Sequence, residues 1–240
     1  MRRSLIFLSF TLLFFFLCVS LIAQKLEKNT PDIRLKLEEN SWDFGYIPNF
    51  MKVSHIFHIE NQGRDTLIIT RVRSDCGCTH IPLRKSWIGP KEKTELELIF
   101  DPSKFHGPIQ KAVSIVSNDK DAPLSDILFT AQVGLKNPMI RLNPEGILFD
   151  TLTSSQERMK EVKVENISKS NLFILVVQKP EEFIDYGIEK FELGPGEKTQ
   201  IYFKTRPPLP SGLIRTSLTL EFSGLEKIRC TIPIQGFVSK

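Results

Sequence analysis

The second half of this chain repeats the first at an offset of 105 residues, and a repeat of that kind restricts the fold to two copies of one module. Glu60-Asn61 returns as Glu165-Asn166, and Leu67 and Ile69 return as Leu172 and Ile174. Gly89-Pro90-Lys91-Glu92-Lys93-Thr94 returns as Gly194-Pro195-Gly196-Glu197-Lys198-Thr199, and Pro102 and Gly107 reappear as Pro207 and Gly212. Turn residues and apolar residues keep one register together, which a chance match of either kind alone would not do. Towards the end of each copy Gln132 falls opposite Gln235, which reads as a slip of the offset to 103 through a shortened hairpin loop. Gly134 and Pro138 punctuate a short connector, so the copies are expected to span residues 24–135 and 138–240.

Each copy alternates in period two, the pattern of strands with one buried face. Val53, His55, Phe57 and Ile59 share a face, as do Thr94, Leu96, Leu98 and Phe100. In the second copy Val162 and Val164, then Thr199, Ile201 and Phe203, then Leu218, Leu220 and Phe222, then Ile228, Cys230, Ile232 and Ile234 repeat the pattern. Turn signals such as Asn61-Gln62-Gly63, Gly89-Pro90, Asp101-Pro102 and Arg206-Pro207-Pro208 separate the runs. Seven or so short strands in roughly 100 residues is the count of an immunoglobulin-like sandwich. The expected fold is therefore all-β, two tandem immunoglobulin-like β-sandwich domains after an N-terminal signal peptide. With 41% apolar and 25% charged residues, wholesale disorder, collagen and a polytopic membrane protein are excluded.

The signal peptide is read at residues 1–23. Arg2 and Arg3 precede an apolar run over residues 5–16 that continues to Ala23, and a polar segment follows from Gln24. The run also approaches the length that spans a bilayer, so an inner-membrane anchor through residues 5–22 is the competing reading, and lipidation of Cys18 a third. Export places the chain in the periplasm, at the cell surface or outside the cell. The formal charge is +4, falling to +2 without Arg2 and Arg3, which gives no electrostatic case for nucleic acid. Three cysteines remain after the leader, Cys76, Cys78 and Cys230, too few for a disulfide-stapled scaffold.

Asp75-Cys76-Gly77-Cys78-Thr79 follows the apolar strand that begins at Leu67, whereas the second copy has Glu181 and Phe183 where Cys76 and Cys78 would recur. Trp42-Asp43-Phe44-Gly45, His55-Ile56-Phe57, Asn61-Gln62-Gly63, Cys76-Gly77-Cys78-Thr79, Gly89-Pro90 and Phe100-Asp101-Pro102 occur in that order. Together they resemble a bacterial family of exported domains of unknown function, itself similar to the immunoglobulin-like modules of the abnormal-spindle, hydin and major sperm protein type. The resemblance covers residues 40–133. It implies a sandwich fold and a cell-envelope setting, and brings no activity with it. The second copy departs from the pattern, with Phe149-Asp150 in place of Phe44-Gly45 and no cysteine motif.

Three readings of Cys76 and Cys78 stand open. They can be compact apolar fillers at a strand end. They can close a disulfide across Gly77, with the glycine absorbing an unusual φ, and so small a ring would be labile to reduction. Or Cys76, Cys78 and His80, on one side of a continuing strand, can offer two thiolates and an imidazole to Cu(I) or Zn(II), with a fourth ligand from His55, His58 or His106. Arg71, Arg73, Arg84 and Lys85 flank the motif, either protecting a strand edge or favouring a thiolate. Cys230 alternates with isoleucines and reads as core. Trp42 and Trp87 are candidate stacking residues for a glycan, with Trp42 better placed in the core.

No nucleophile elbow, phosphate-binding glycine loop or zinc-protease helix is present in the sequence. The expected function is that of a non-enzymatic envelope protein whose tandem modules serve interaction or assembly, with no cofactor and another envelope protein as partner. The alternative is a thiol/disulfide or Cu/Zn-handling protein acting through Cys76 and Cys78.

Overall fold

The computed structural model describes residues 31–239, which form eighteen strands and no helix. The expected signal peptide, the alternative anchor and Cys18 lie outside the described residues. The first copy contains β1 (Leu35–Leu37), β2 (Ser41–Ile47), β3 (Val53–Asn61), β4 (Leu67–Ser74), β5 (Thr79–His80), β6 (Trp87–Ile88), β7 (Lys93–Phe100), β8 (Gly107–Ser117) and β9 (Leu124–Val133). The second contains β10 (Ile140–Asn143), β11 (Ile147–Thr153), β12 (Met159–Asn166), β13 (Leu172–Gln178), β14 (Ile184–Ile188), β15 (Glu192–Leu193), β16 (Lys198–Thr205), β17 (Gly212–Ser223) and β18 (Lys227–Ser239).

In the first copy one sheet runs β1-β3-β7-β5 and faces a second in which β4, β8 and β9 are neighbours. Taken in chain order these are the two sheets of an immunoglobulin-like sandwich. The second copy repeats both, as β10-β12-β16-β14 and β13-β17-β18. Each copy has nine strands where the sequence pattern suggested seven. The additions are β6 and β15, two residues each and so too short to show alternation, and β2 and β11, which pair in parallel with the last strand of their own copy.

Pairing register corrects one expectation. Gly107 sits opposite Val133 and Gly212 opposite Val238, so the offset stays at 105 to the end of the hairpin. Phe237, and not Gln235, is the counterpart of Gln132. No residue is lost from the second hairpin. It pairs two further rows, Phe222 with Ile228 and Ser223 with Lys227, beyond the rung that corresponds to Val116 and Leu124.

The inward faces build two core clusters. Phe44, Phe57, Phe100 and Phe129 fill the first, and Phe149, Phe203 and Phe222 the second. The repeated Asn explains why the turns hold the same places. Asn61, fully buried, donates from Nδ2 to the carbonyls of Asp65 and Ile88, and accepts the Gly63 N–H at Oδ1. Asn166 does the same with Ser170, Leu193 and Ser168. One amide thus ties the end of a strand to two later backbone segments, satisfying groups that burial would otherwise leave unpaired. The adjoining Gly-Pro turns close through Glu92 N–H to Gly89 O and Glu197 N–H to Gly194 O, with positive φ at Lys91 (62°) and Gly196 (77°). A type II turn requires that conformation at its third residue.

The two copies join edge to edge. β18 lies parallel to β2, with Cys230 beside Tyr46, so the β4-side sheet of the first copy and the β17-side sheet of the second become one ten-stranded sheet. Alternation fails here for a physical reason. Residues 216–220 of β17 and 230–234 of β18 are buried on both faces, because β2 and β3 of the first copy cover the outward side. The covered outward residues include Ser217, Thr219 and Thr231, small enough for a second backbone to approach.

Candidate functional site

The Cys76–Cys78 loop hangs between the end of β4 and β5, and its backbone is fastened on both sides. Before the cysteines, the Asp75 carboxylate accepts the Ala112 N–H at 3.1 Å, and the Ser74 hydroxyl donates to Cys76 O. After them, Asp101 N–H donates to Cys78 O at 2.8 Å, and β5 pairs with the end of β7. The two sulfurs are joined as a disulfide, with the Cα atoms 5.2 Å apart, inside the range a disulfide spans. Cys78 packs on the first core cluster; Cys76 and Cys78 are both half-buried, and Gly77 is exposed. The Thr79 hydroxyl lies 3.7 Å from each sulfur.

Gly77 does not take the unusual φ expected of it. It is absent from the left-handed region, and a Cβ added there would meet nothing within 4 Å. The glycine therefore answers to no internal contact; it leaves the solvent side of the disulfide bare.

The metal triad that the third reading offered, Cys76, Cys78 and His80, is not assembled. Among the described residues no three His, Cys, Asp or Glu side chains group to hold a metal ion, and the two sulfurs are bonded to each other. His55 turns away into the junction between the copies. Of the flanking cations, Arg84 and Lys85 are held by Glu95 and Glu92, at 2.6 and 2.5 Å, while Arg71 and Arg73 stand exposed on the strand that feeds the loop. Trp87 is 62% exposed at a sheet edge, and Trp42 is buried, its ring stacked on His55 at 3.6 Å. Cys230 is buried, and burial pushes its thiol up to about 12, so it stays protonated and unreactive.

A second cluster of polar residues sits at the junction, and sequence reasoning did not anticipate it. His55 Nε2 faces a Glu39 carboxylate oxygen at 2.5 Å, and Nδ1 faces Gln178 Oε1 at 2.8 Å. The Gln178 amide nitrogen donates to Ser54 O and Ser217 O, so one glutamine of the second copy grips both copies. Ser54 N–H donates to Ser217 Oγ, and Thr231 Oγ1 donates to Phe44 O at 2.7 Å. Gly45, at φ +63°, is where the backbones cross, since a Cβ there would stand 2.1 Å from Arg229 O. Asp150, its counterpart in the second copy, is exposed.

Glu181 lies on this junction, its N–H donating to Thr216 Oγ1. Desolvation, then the charges of Glu97 and Glu95, push its carboxyl up to about 7 against the pull of Arg84. Burial raises Glu97 as well, opposed by Arg215 and His80. Beside the crossing strands a cleft of about 420 Å³ is lined by Tyr46, Leu135, Ile140, Ile167 and Cys230 among others.

Residues 35–133 match a family described as protein of unknown function (DUF1573). No curated protein matches the chain. Among solved structures, a protein of unknown function from Porphyromonas gingivalis W83 is 10% identical with a TM-score of 0.38, covering 85% of this chain and 99% of that one. The ASH/PapD-like domain 7 of human CEP192 is 9% identical with a TM-score of 0.38, over 45% of this chain and 91% of that one. The E. coli chaperone DraB is 9% identical with a TM-score of 0.33, over 84% and 97%. Likeness at this level carries no argument about what the chain does.

Proposed function

We propose that the chain is a non-enzymatic protein of the cell envelope, exported through residues 1–23, in which two immunoglobulin-like modules act as one rigid element for binding or assembling another envelope protein. The observation that carries this reading is the junction. A linker that only tethered two modules would leave their faces free to move. Here the sheet runs through, backbones cross at Gly45, and Gln178 bonds to both copies, so the surfaces on either side keep a fixed relation. A fixed pair of surfaces is what an assembly element offers its partner, because less freedom is lost on binding. The Glu181 carboxyl, pushed up to about 7 by burial and by the charges of Glu97 and Glu95, lies at this junction.

The experiment is mild crosslinking in envelope fractions followed by recovery of the protein. A specific protein partner is expected, recovered far less by a Gly45→Asp variant that forces the copies apart while each still folds. Recovery of no specific partner, or equal recovery by that variant, overturns the reading. N-terminal sequencing of the mature chain is expected to begin at Gln24.

A further inference from the structure

We propose that the Cys76–Cys78 disulfide is an exchange site for a partner protein that carries a reactive dithiol, and that this partner docks where the repeat would otherwise hold a preceding module. This goes beyond the interaction role above. It rests first on what the repeat does with the same position. In the second copy the corresponding segment, from Val177 through Gln178 to Glu181, is the part that grips the first copy. Val177 packs on the first core cluster, Gln178 bonds to Ser54 O and His55, and Glu181 lies against the same junction. In the first copy the residues at the same offset are Val72, which packs on its own core cluster, Arg73, which is exposed, and Cys76, half-buried, and no module precedes them among the described residues. Arg73, the counterpart of the gripping Gln178, is thus presented outward, and three residues on, where the second copy has Glu181, stands a disulfide-bonded cysteine.

The surroundings suit exchange. Gly77 leaves the outer side of the bond open, so another chain can reach a sulfur without displacing a side chain. Cys78 is packed on the core and Cys76 is not among the residues packed there, which makes Cys76 the sulfur to be attacked and Cys78 the leaving group. The ties from Asp75, Ser74 and Asp101 hold the loop through backbone and neighbouring strands, independently of the sulfur bond. Thr79 Oγ1 is within reach of both sulfurs and can donate to whichever becomes a thiolate, and Arg71 and Arg73 bring positive charge to the strand behind. A bond that closes so short a loop contributes little to folding, which removes the usual reason for having it.

The chemistry balances between two dithiols. A thiolate of the partner attacks Cys76 Sγ, the Cys76–Cys78 bond breaks, and a mixed disulfide forms on Cys76 while Cys78 leaves as a thiolate and takes up a proton. The partner's second thiolate then attacks its own sulfur in that mixed disulfide, closing the partner's disulfide and releasing Cys76, which is protonated in turn. Two electrons pass from the partner dithiol to this chain; the partner is oxidised and Cys76–Cys78 reduced.

The test equilibrates the folded protein in graded mixtures of reduced and oxidised glutathione, quenches by alkylation and maps Cys76 and Cys78 by peptide mass. The pair is expected to pass reversibly between bridged and doubly alkylated forms, with one curve from either direction. Cys78→Ser is expected to collect glutathione on Cys76. Thr79→Val should slow opening near neutral pH by about tenfold, the effect of removing one hydrogen bond to the thiolate, with an unchanged far-UV spectrum. Gly77→Val should leave exchange with glutathione in place and slow exchange with reduced thioredoxin, used as a protein dithiol probe. A pair that opens only when the protein unfolds, or that stays as free thiols in oxidised glutathione, overturns exchange. Equal rates with thioredoxin for Gly77→Val and the unaltered chain overturn docking at the loop.

Discussion

Gly45 and Asp150 occupy the same place in the repeat, and the difference between them is set by what lies opposite. Arg229 O blocks any side chain at 45, whereas 150 faces solvent. Gly45→Ala is therefore expected to cost about 2–4 kcal/mol, from a steric clash added to a left-handed φ, and Asp150→Gly less than about 1 kcal/mol. Urea unfolding of the two variants measures both. Lys91 holds a left-handed φ that the second copy assigns to Gly196. Lys91→Gly should raise stability by roughly 0.5–1 kcal/mol by relieving it, read as a higher denaturation midpoint. The buried amides Asn61 and Asn166 each satisfy several backbone groups, so Asn→Ala at either should cost a similar amount, about 2–4 kcal/mol.

Strands and loops account for which part of this was legible in the sequence. The repeat, the inward faces of β3, β7 and β16, and the burial of Cys230 could be read from residue types, because alternation and turn residues report on one module at a time. The junction could not. His55 reads as a core-edge residue beside Phe57, and nothing local says that Gln178, 123 positions later, will bond to its ring. The small outward residues of β17 and β18, Ser217, Thr219 and Thr231, were the available signal. Gly77 misled in another way, since glycine next to cysteine suggests backbone strain and the structure shows open space. At this scale the Cys76→Ser, Cys78→Ser double variant should lose no more than about 1–2 kcal/mol, given the short loop closed, as followed by thermal unfolding. The junction loop supplies a pH dependence. Glu181 is raised in the folded chain from an ordinary 4.5 to about 7, so the folded state binds more protons than the unfolded one between those values. Its contribution is fully present below pH 4.5 and is lost as pH rises to 7. Glu181→Gln should flatten stability across that window.

At the scale of the whole molecule, the strands of the two repeats among the described residues share one sheet, and the proposed role depends on that sharing. Spin labels on the exposed residues Leu124 and Leu225, one at a hairpin of each copy, report the relation between the copies directly. The account predicts one narrow distance distribution in the unaltered chain, broadened by Gly45→Asp. A broad distribution already present in the unaltered chain would contradict it.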